Sequence, residues 1–173
     1  MELSKELTQK IQEINSVFPV THRISRKEQN LLFAYVASLR STCNRRRYGA
    51  IIEKDNVIIS TGYNGSPSGK PNCCDCGPCE RQKKNIPQGQ GYSECVAVHA
   101  EVNAIIKAGK ECKGATLYLV GFDVEKNCLV ENTAPCSICM PIIINAGIRR
   151  IVTIAGETEI FIERRVVSSY EAG

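Results

Sequence analysis

Two short segments constrain this chain more than anything else in it: His99-Ala100-Glu101, and Pro135-Cys136-Ser137-Ile138-Cys139. One imidazole and two thiolates supply three ligands for a tetrahedral zinc, and they reach one ion only if the fold sets the two segments side by side. The fourth position stays open for water, the arrangement of a catalytic rather than a structural site. Cys136 and Cys139 are three apart at a helix start, so both thiols point to one side, and the helix N-terminus favours their thiolate forms. Glu101 follows two residues after the imidazole. A carboxylate that coordinated the metal could not also carry a proton, so its expected role is shuttle rather than ligand. Taken singly, a C-x-x-C pair is also a redox pair, half of a structural zinc site or chance, and a lone histidine near a helix start is more often structural. The combination, with each half opening a helix and a strand between the halves, favours the zinc reading.

Composition narrows the setting. A chain of 173 residues buries a core without disulfide support and reads as a single domain over 1–173. Hydrophobic residues at 43% with 23% charged residues fit an ordinary soluble globular protein. No apolar run approaches the ~18 residues of a membrane span, and Met1-Glu-Leu-Ser-Lys-Glu6 lacks the features of a signal peptide. The expected location is cytoplasmic, with no membrane partner. In that reducing compartment, ten cysteines point to metal or catalysis instead of disulfides. The net charge is +4, and its densest run is Arg45-Arg46-Arg47. That run can meet a phosphate but is too short for a nucleic-acid groove. With 6% aromatics and no Trp, base-stacking platforms are not expected either, so no nucleic-acid partner is expected.

Residues 2–18 carry Leu3, Leu7, Ile11, Ile14 and Phe18 at helical spacing, an amphipathic helix closed by Pro19. Ser25-Arg-Lys-Glu28 reads as a capping box opening a second helix, with Leu31, Leu32, Tyr35, Val36 and Leu39 as its apolar face. Tyr48–Glu53 and Val57–Thr61 read as strands joined at Lys54-Asp55-Asn56. Residues 62–92, rich in Gly, Pro and Cys, read as a long loop that is functional or tied down. Cys95–Ala108 reads as a helix ended by Gly109, Thr116–Val120 as a strand, and residues 121–134 as an excursion with a small hairpin at Lys126-Asn127. A helix from about Cys136 to Ala146 ends at Gly147. Arg150–Ile154 and Glu159–Val167 are further strands. The alternation describes an α/β domain, a mixed sheet covered by helices.

The pairing of H-x-E with P-C-x-x-C is a signature of zinc deaminases. Beyond that signature, the sequence resembles the deoxycytidylate (dCMP) deaminases of the cytidine deaminase superfamily over about residues 25–155. The likeness rests on His99-Ala-Glu-Val-Asn-Ala104, Ala134-Pro-Cys-Ser-Ile-Cys139, Asn145-Ala-Gly-Ile-Arg149 and Thr61-Gly-Tyr-Asn-Gly-Ser-Pro-Ser-Gly69, with Ser41-Thr-Cys43 and Tyr48-Gly-Ala50. It implies a three-layer α/β fold of the cytidine deaminase type, with a central mixed sheet of about five strands flanked by helices, and hydrolysis of dCMP to dUMP and ammonia. In that role Glu101 would pass the water proton to the ring nitrogen and then to departing ammonia. The resemblance further implies that Asn64 contacts the deoxyribose and the Ala100 backbone N–H the pyrimidine carbonyl. Arg45, between Cys43 and Gly49, is the choice for the 5′-phosphate, because a guanidinium pairs well with phosphate oxygens; a solvated arginine is the plainer alternative. Hexamer formation and responses to dCTP and dTTP are implied by the resemblance alone.

The segment Asn72-Cys-Cys-Asp-Cys-Gly-Pro-Cys79 is too rich in cysteine for a chance surface loop, and a closed structural zinc would pin it. Many dCMP deaminases are similar in holding such a zinc at positions matching Cys43 and Cys73. Cys79 and Cys95 complete the expected set, with Cys74 or Cys76 as alternatives to Cys79. Cys112 and Cys128 are expected to be ordinary thiols. Three features depart from the common pattern: the insertion at 121–134, Pro141 within the zinc helix, and a short tail after Ile154. Pro141 is tolerable only where the regular helix begins near Cys139. The competing readings are deamination of another small nucleoside or nucleotide, deamination of a tRNA adenosine, and a non-catalytic zinc module that binds nucleotides. The intact Glu101 counts against the last of these, since binding needs no proton shuttle.

Overall fold

The computed structural model describes residues 4–18, 21, 23–87 and 90–160. Helix α1 spans Lys5–Val17 and is capped by Ser4, whose hydroxyl accepts the Leu7 N–H. Leu3 and Pro19 lie outside the described residues. Helix α2, Arg26–Ser38, opens on the expected capping box, in which Ser25 and Glu28 satisfy each other's backbone N–H. Strands β1 (Arg46–Lys54) and β2 (Val57–Tyr63) form an antiparallel hairpin. Asp55 and Asn56 at its tip both take positive φ, the backbone that two-residue hairpin turns demand.

Residues after β2 are less bare than expected. They hold a 3-10 turn at Cys73–Asp75, a short helix α3 (Glu80–Lys83) and a second 3-10 turn at Tyr92–Glu94. Asn44 ties this segment to the sheet by donating to the Cys73 and Gly77 carbonyls. Helix α4 runs Ala100–Ala108 and stops at Gly109, which has positive φ. The expected start at Cys95 is corrected. Val98 exchanges both backbone hydrogen bonds with Gly65, so residues before His99 are extended and cannot also be helical.

Strand β3 (Thr116–Asp123) is longer than expected. Its last three residues pair with Tyr48, Arg47 and Arg46, and it turns at Asn127 into the two-residue strand β4, Cys128–Leu129. The regular part of helix α5 is Cys139–Asn145, later than the expected Cys136, although the Met140 N–H already bonds to the Cys136 carbonyl. Pro141 therefore falls in the first turn of the regular helix, where its missing N–H is best tolerated, and it interrupts the bonding that Met140 begins with the Cys136 carbonyl. Strands β5 (Arg150–Thr153) and β6 (Gly156–Glu159) close the chain's described part. The last strand was expected at Glu159–Val167; it lies earlier, and residues 161–167 are outside the described set.

The sheet order is β2-β1-β3-β5-β6, with β4 on β3, and only the β3–β5 pair is parallel. Alternation along the strands divides the core into two layers. Ala50, Ile52, Leu117, Leu119 and Ile151 face α4 and α5, with Ala104, Cys139 and Ile143. Ile51, Tyr118, Val120 and Val152 face α2. The result is the expected α/β fold, a mixed sheet with helices on both faces.

Two glycines set how close those helices come. A Cβ on Gly49 would stand 1.9 Å from the Ala34 carbonyl oxygen, and one on Gly62 would stand 2.2 Å from that of Ala100. This close approach also corrects the face assigned to α2. Its buried residues are the smaller Asn30, Ala34 and Ser38, while Leu32, Val36 and Leu39 are exposed and Leu31 and Tyr35 pack at the edge.

Candidate active site and metal centre

His99 is the N-cap of α4, so its ring stands before the first turn while Ala100 and Glu101 occupy it. Cys136 precedes α5 and Cys139 begins it. Because β3 lies between the two helices in sequence and all three pack on one sheet face, the two segments meet. The imidazole Nδ1 is 3.2 Å from the Cys139 sulfur and 3.4 Å from that of Cys136. Ligand atoms of a tetrahedral His–Cys zinc lie about 3.5 Å apart. Among the described residues, these three form the group whose ligand atoms fall within 4.8 Å of one another.

The electrostatics of the cluster call for a cation. Burial, then the Arg81 charge, lowers the His99 pKa and keeps the imidazole neutral, as a metal ligand must be. Burial pushes the Cys139 thiol far up, and the nearby Glu101 and Cys136 push it further. A cation between these groups reverses that pressure and favours the thiolates. Glu101 is 5% exposed, and burial raises its pKa above the usual carboxylate range. A buried carboxyl that holds a proton more tightly than usual suits a group that must both take and give one.

His99, Glu101 and Cys136 line a cavity of about 300 Å³ together with Arg45, Arg46, Tyr48, Asn64, Arg81, Tyr92 and Ala100, and Cys139 lies fully buried behind them. The cavity volume is at the lower end for small-molecule sites. Asn64 is 8% exposed and largely committed to the fold. Its side-chain oxygen accepts from Ser41 and from the Tyr48 N–H, and its amide nitrogen donates to the Arg46 carbonyl. That leaves one N–H for a ligand. Ala100 is fully buried at the first position of α4, where a backbone N–H has no helical acceptor. Arg45 presents a buried Nη1 with no hydrogen-bond partner among the described residues.

Of the four loop cysteines assigned to a second metal, Cys43, Cys79 and Cys95 line the same cavity, and the Cys73 sulfur lies 3.6 Å from the Ser66 hydroxyl. All four are half-buried, whereas Cys74 and Cys76 are exposed, and Cys74 bonds to Asp75 instead. Their sulfurs are not drawn to the spacing of the His99 cluster. Cys112 is buried and Cys128 exposed, each a free thiol.

Several site residues carry no sequence signal of their own. The Tyr92 ring lies 5.4 Å from the His99 ring, and the Arg81 guanidinium sits 5.5 Å over the Tyr92 ring. Tyr48 meets Arg46, whose Nε is 3.1 Å from Asp123. Asp123 belongs to the part of β3 that extends into the insertion. The hint in the sequence for Arg81 and Tyr92 was their position between Cys79 and Cys95, two of the cysteines assigned to a second metal.

The sheet thus carries a His-Cys-Cys cluster at two helix starts with a buried glutamate beside it, the donor set of a zinc-dependent deaminase. The sequence profile of the cytidine and deoxycytidylate deaminase zinc-binding region matches residues 24–155, and the chain belongs to that family. The deoxycytidylate deaminase of Schizosaccharomyces pombe is 34% identical over 148 residues, 84% of this chain and 42% of that protein. The deoxycytidylate deaminase of Mycobacterium phage D29 is 37% identical over 130 residues, 72% of this chain and 91% of that protein. Among solved structures, the dCMP deaminase of cyanophage S-TIM5 in its apo form is similar at a TM-score of 0.52 and 27% identity, covering 73% of this chain and 80% of that one. The chain thus spans less than half of the fission-yeast relative and most of the phage one. No helix among the described residues is long and apolar enough to cross a membrane.

Proposed function

We propose that this chain hydrolyses dCMP to dUMP and ammonia with one zinc held by His99, Cys136 and Cys139. The observation that carries the reading is the meeting of His99 Nδ1 with both cysteine sulfurs beside a buried Glu101, at the wall of a cavity that His99, Glu101 and Cys136 line. Bound there, zinc would acidify a water for attack on the amino-bearing ring carbon. Glu101 would take one proton of that water and give it to the ring nitrogen, then take the second from the new hydroxyl and give it to the amino group as ammonia leaves. The Ala100 N–H orients the pyrimidine carbonyl, and the remaining Asn64 N–H meets the deoxyribose. Arg45 receives the 5′-phosphate. The partnerless Arg45 Nη1 supports this, since a buried guanidinium N–H without an acceptor is costly until a ligand fills it.

The same reading includes a second, structural zinc on Cys43, Cys73, Cys79 and Cys95. It is supported by the placement of Cys43, Cys79 and Cys95 on one cavity and by the exposure of the alternatives Cys74 and Cys76. We read residues 1–173 as one deaminase domain with α1 as an addition, since the profile begins at residue 24. A cytoplasmic homo-oligomer, a hexamer by resemblance, with dCTP and dTTP as effectors completes the proposal.

A substrate panel tests it: dCMP, dCTP, CMP, cytidine and a tRNA hairpin, followed by ultraviolet absorbance and ammonia release, with and without dCTP and dTTP. dCMP should be the preferred substrate. Turnover of cytidine without turnover of dCMP would remove the phosphate role from Arg45 and replace the proposed substrate.

A further inference from the structure

Arg81 has no role in anything derived from the sequence, yet it stands on the wall of the reaction cavity with Arg45 and Arg46. The three arginines are not equivalent. Arg46 is offset by Asp123, with Nε 3.1 Å from the carboxylate. Arg81 has no carboxylate partner among the described residues. Its Nη2 donates instead to the Pro87 and Gln90 carbonyls, and its guanidinium plane rests on Tyr92. Those tethers fix the group without neutralising it, so the positive charge stays available to the cavity. Its Nε is buried and has no hydrogen-bond partner among the described residues, and the same holds for the Nη1 of Arg45 and of Arg46, whose Nε alone meets Asp123. Three buried guanidinium nitrogens without a hydrogen-bond partner among the described residues, on Arg45, Arg46 and Arg81, come from two segments to one cavity and describe a place prepared for an anion.

We propose that Arg81 is a specificity-determining residue that takes the anionic group of the substrate together with Arg45. The inference rests on the reading of the cavity as a nucleotide deaminase site and deepens it. It assigns the choice between a nucleotide and a nucleoside partly to the segment that carries the loop cysteines. It also gives that segment a reason to be pinned: Arg81 can serve the cavity only while its segment is held in place, and Asn44 holds the segment at the Cys73 and Gly77 carbonyls.

The test compares binding of dUMP and of 2′-deoxyuridine to the zinc-loaded full chain by calorimetry, in the wild type, Arg81→Gln and Arg81→Lys. Zinc content and thermal unfolding are measured for each. The wild type should favour dUMP, and Arg81→Gln should lower the dUMP-to-deoxyuridine affinity ratio tenfold or more. Arg81→Lys, which keeps the charge but loses the planar fork, should restore part of the ratio. Equal weakening of both ligands in Arg81→Gln would mean that the residue only holds the loop, and an unchanged ratio would mean that it does not meet the anion. Either result overturns this inference while leaving dCMP deamination intact. A wild type that binds neither ligand overturns the nucleotide reading itself. If Arg81→Gln does not fold, the ratio in Arg81→Lys decides: a value equal to that of the wild type rejects the proposal.

Discussion

At the scale of single side chains, two carboxylates tied to the cavity are driven in opposite directions by their surroundings. Burial raises Glu101, while Asp123 is lowered by the Lys126 N–H and by Arg46. The first therefore suits proton transfer and the second stays ionised to hold an arginine. Replacing Glu101 by Gln preserves shape and removes the titrating group, so dCMP turnover should fall about 10²–10⁴-fold with zinc still bound. The checks are the ultraviolet assay and metal analysis on the same sample, and full activity in Glu101→Gln would reject the shuttle. The identities of His99, Glu101, Cys136 and Cys139 were legible in sequence because each chemistry needs a particular residue type at a fixed spacing. Arg81 and Tyr92 were not, because an arginine on a loop has no pattern until the loop is folded. Asn64 shows the difference from the other side: its motif drew attention to it, but only the structure shows that its amide mainly joins β1, β2 and Ser41.

At the scale of elements, the site depends on how α4 seats on β2. A Cβ at Gly62 would lie 2.2 Å from the Ala100 oxygen and 2.5 Å from the Ala104 nitrogen, so Gly62→Ala must displace the helix that carries Glu101. We expect a loss of about 1–3 kcal/mol or more in urea unfolding, together with reduced kcat. Unchanged stability would show that α4 shifts freely. The hairpin of the insertion gives a pH prediction. Because the folded Asp123 pKa is depressed, its contribution is present above the pKa of an unfolded aspartate and is lost as pH falls through the folded value. Asp123→Asn should therefore flatten the acid limb of the stability-against-pH curve, measured by thermal unfolding; superimposable curves would remove the role. Sequence made the β1–β2 hairpin, the capping box and the hairpin at Asn127 legible, since turns and caps are local chemistry. It misplaced the starts of α4 and α5. The Gly65–Val98 bridge delays α4, and that bridge joins residues distant in sequence.

At the scale of the whole molecule, apolar surface remains uncovered on both helices of the N-terminal part. Leu7, Ile11, Ile14 and Val17 of α1 are exposed, as are Leu32, Phe33, Val36 and Leu39 on or just after α2. Such surface supports the proposed self-association, because contiguous apolar faces are unusual on monomers. Sedimentation should give a species larger than the 19.1 kDa chain, and Leu32→Asp with Val36→Asp should reduce its size. A wild type that sediments as a monomer at micromolar concentration would end the oligomer proposal. The sequence by itself determined the residue types of the metal cluster, the shuttle and the alternating core, since donor chemistry and periodicity are written in residue identity. Only the tertiary structure decided that α2 faces the sheet with Asn30, Ala34 and Ser38, and that Arg46 is tied to the insertion. It also showed that Arg81 reaches the cavity. Those outcomes turn on distances between segments far apart in the chain, and local sequence does not encode how closely two backbones can approach.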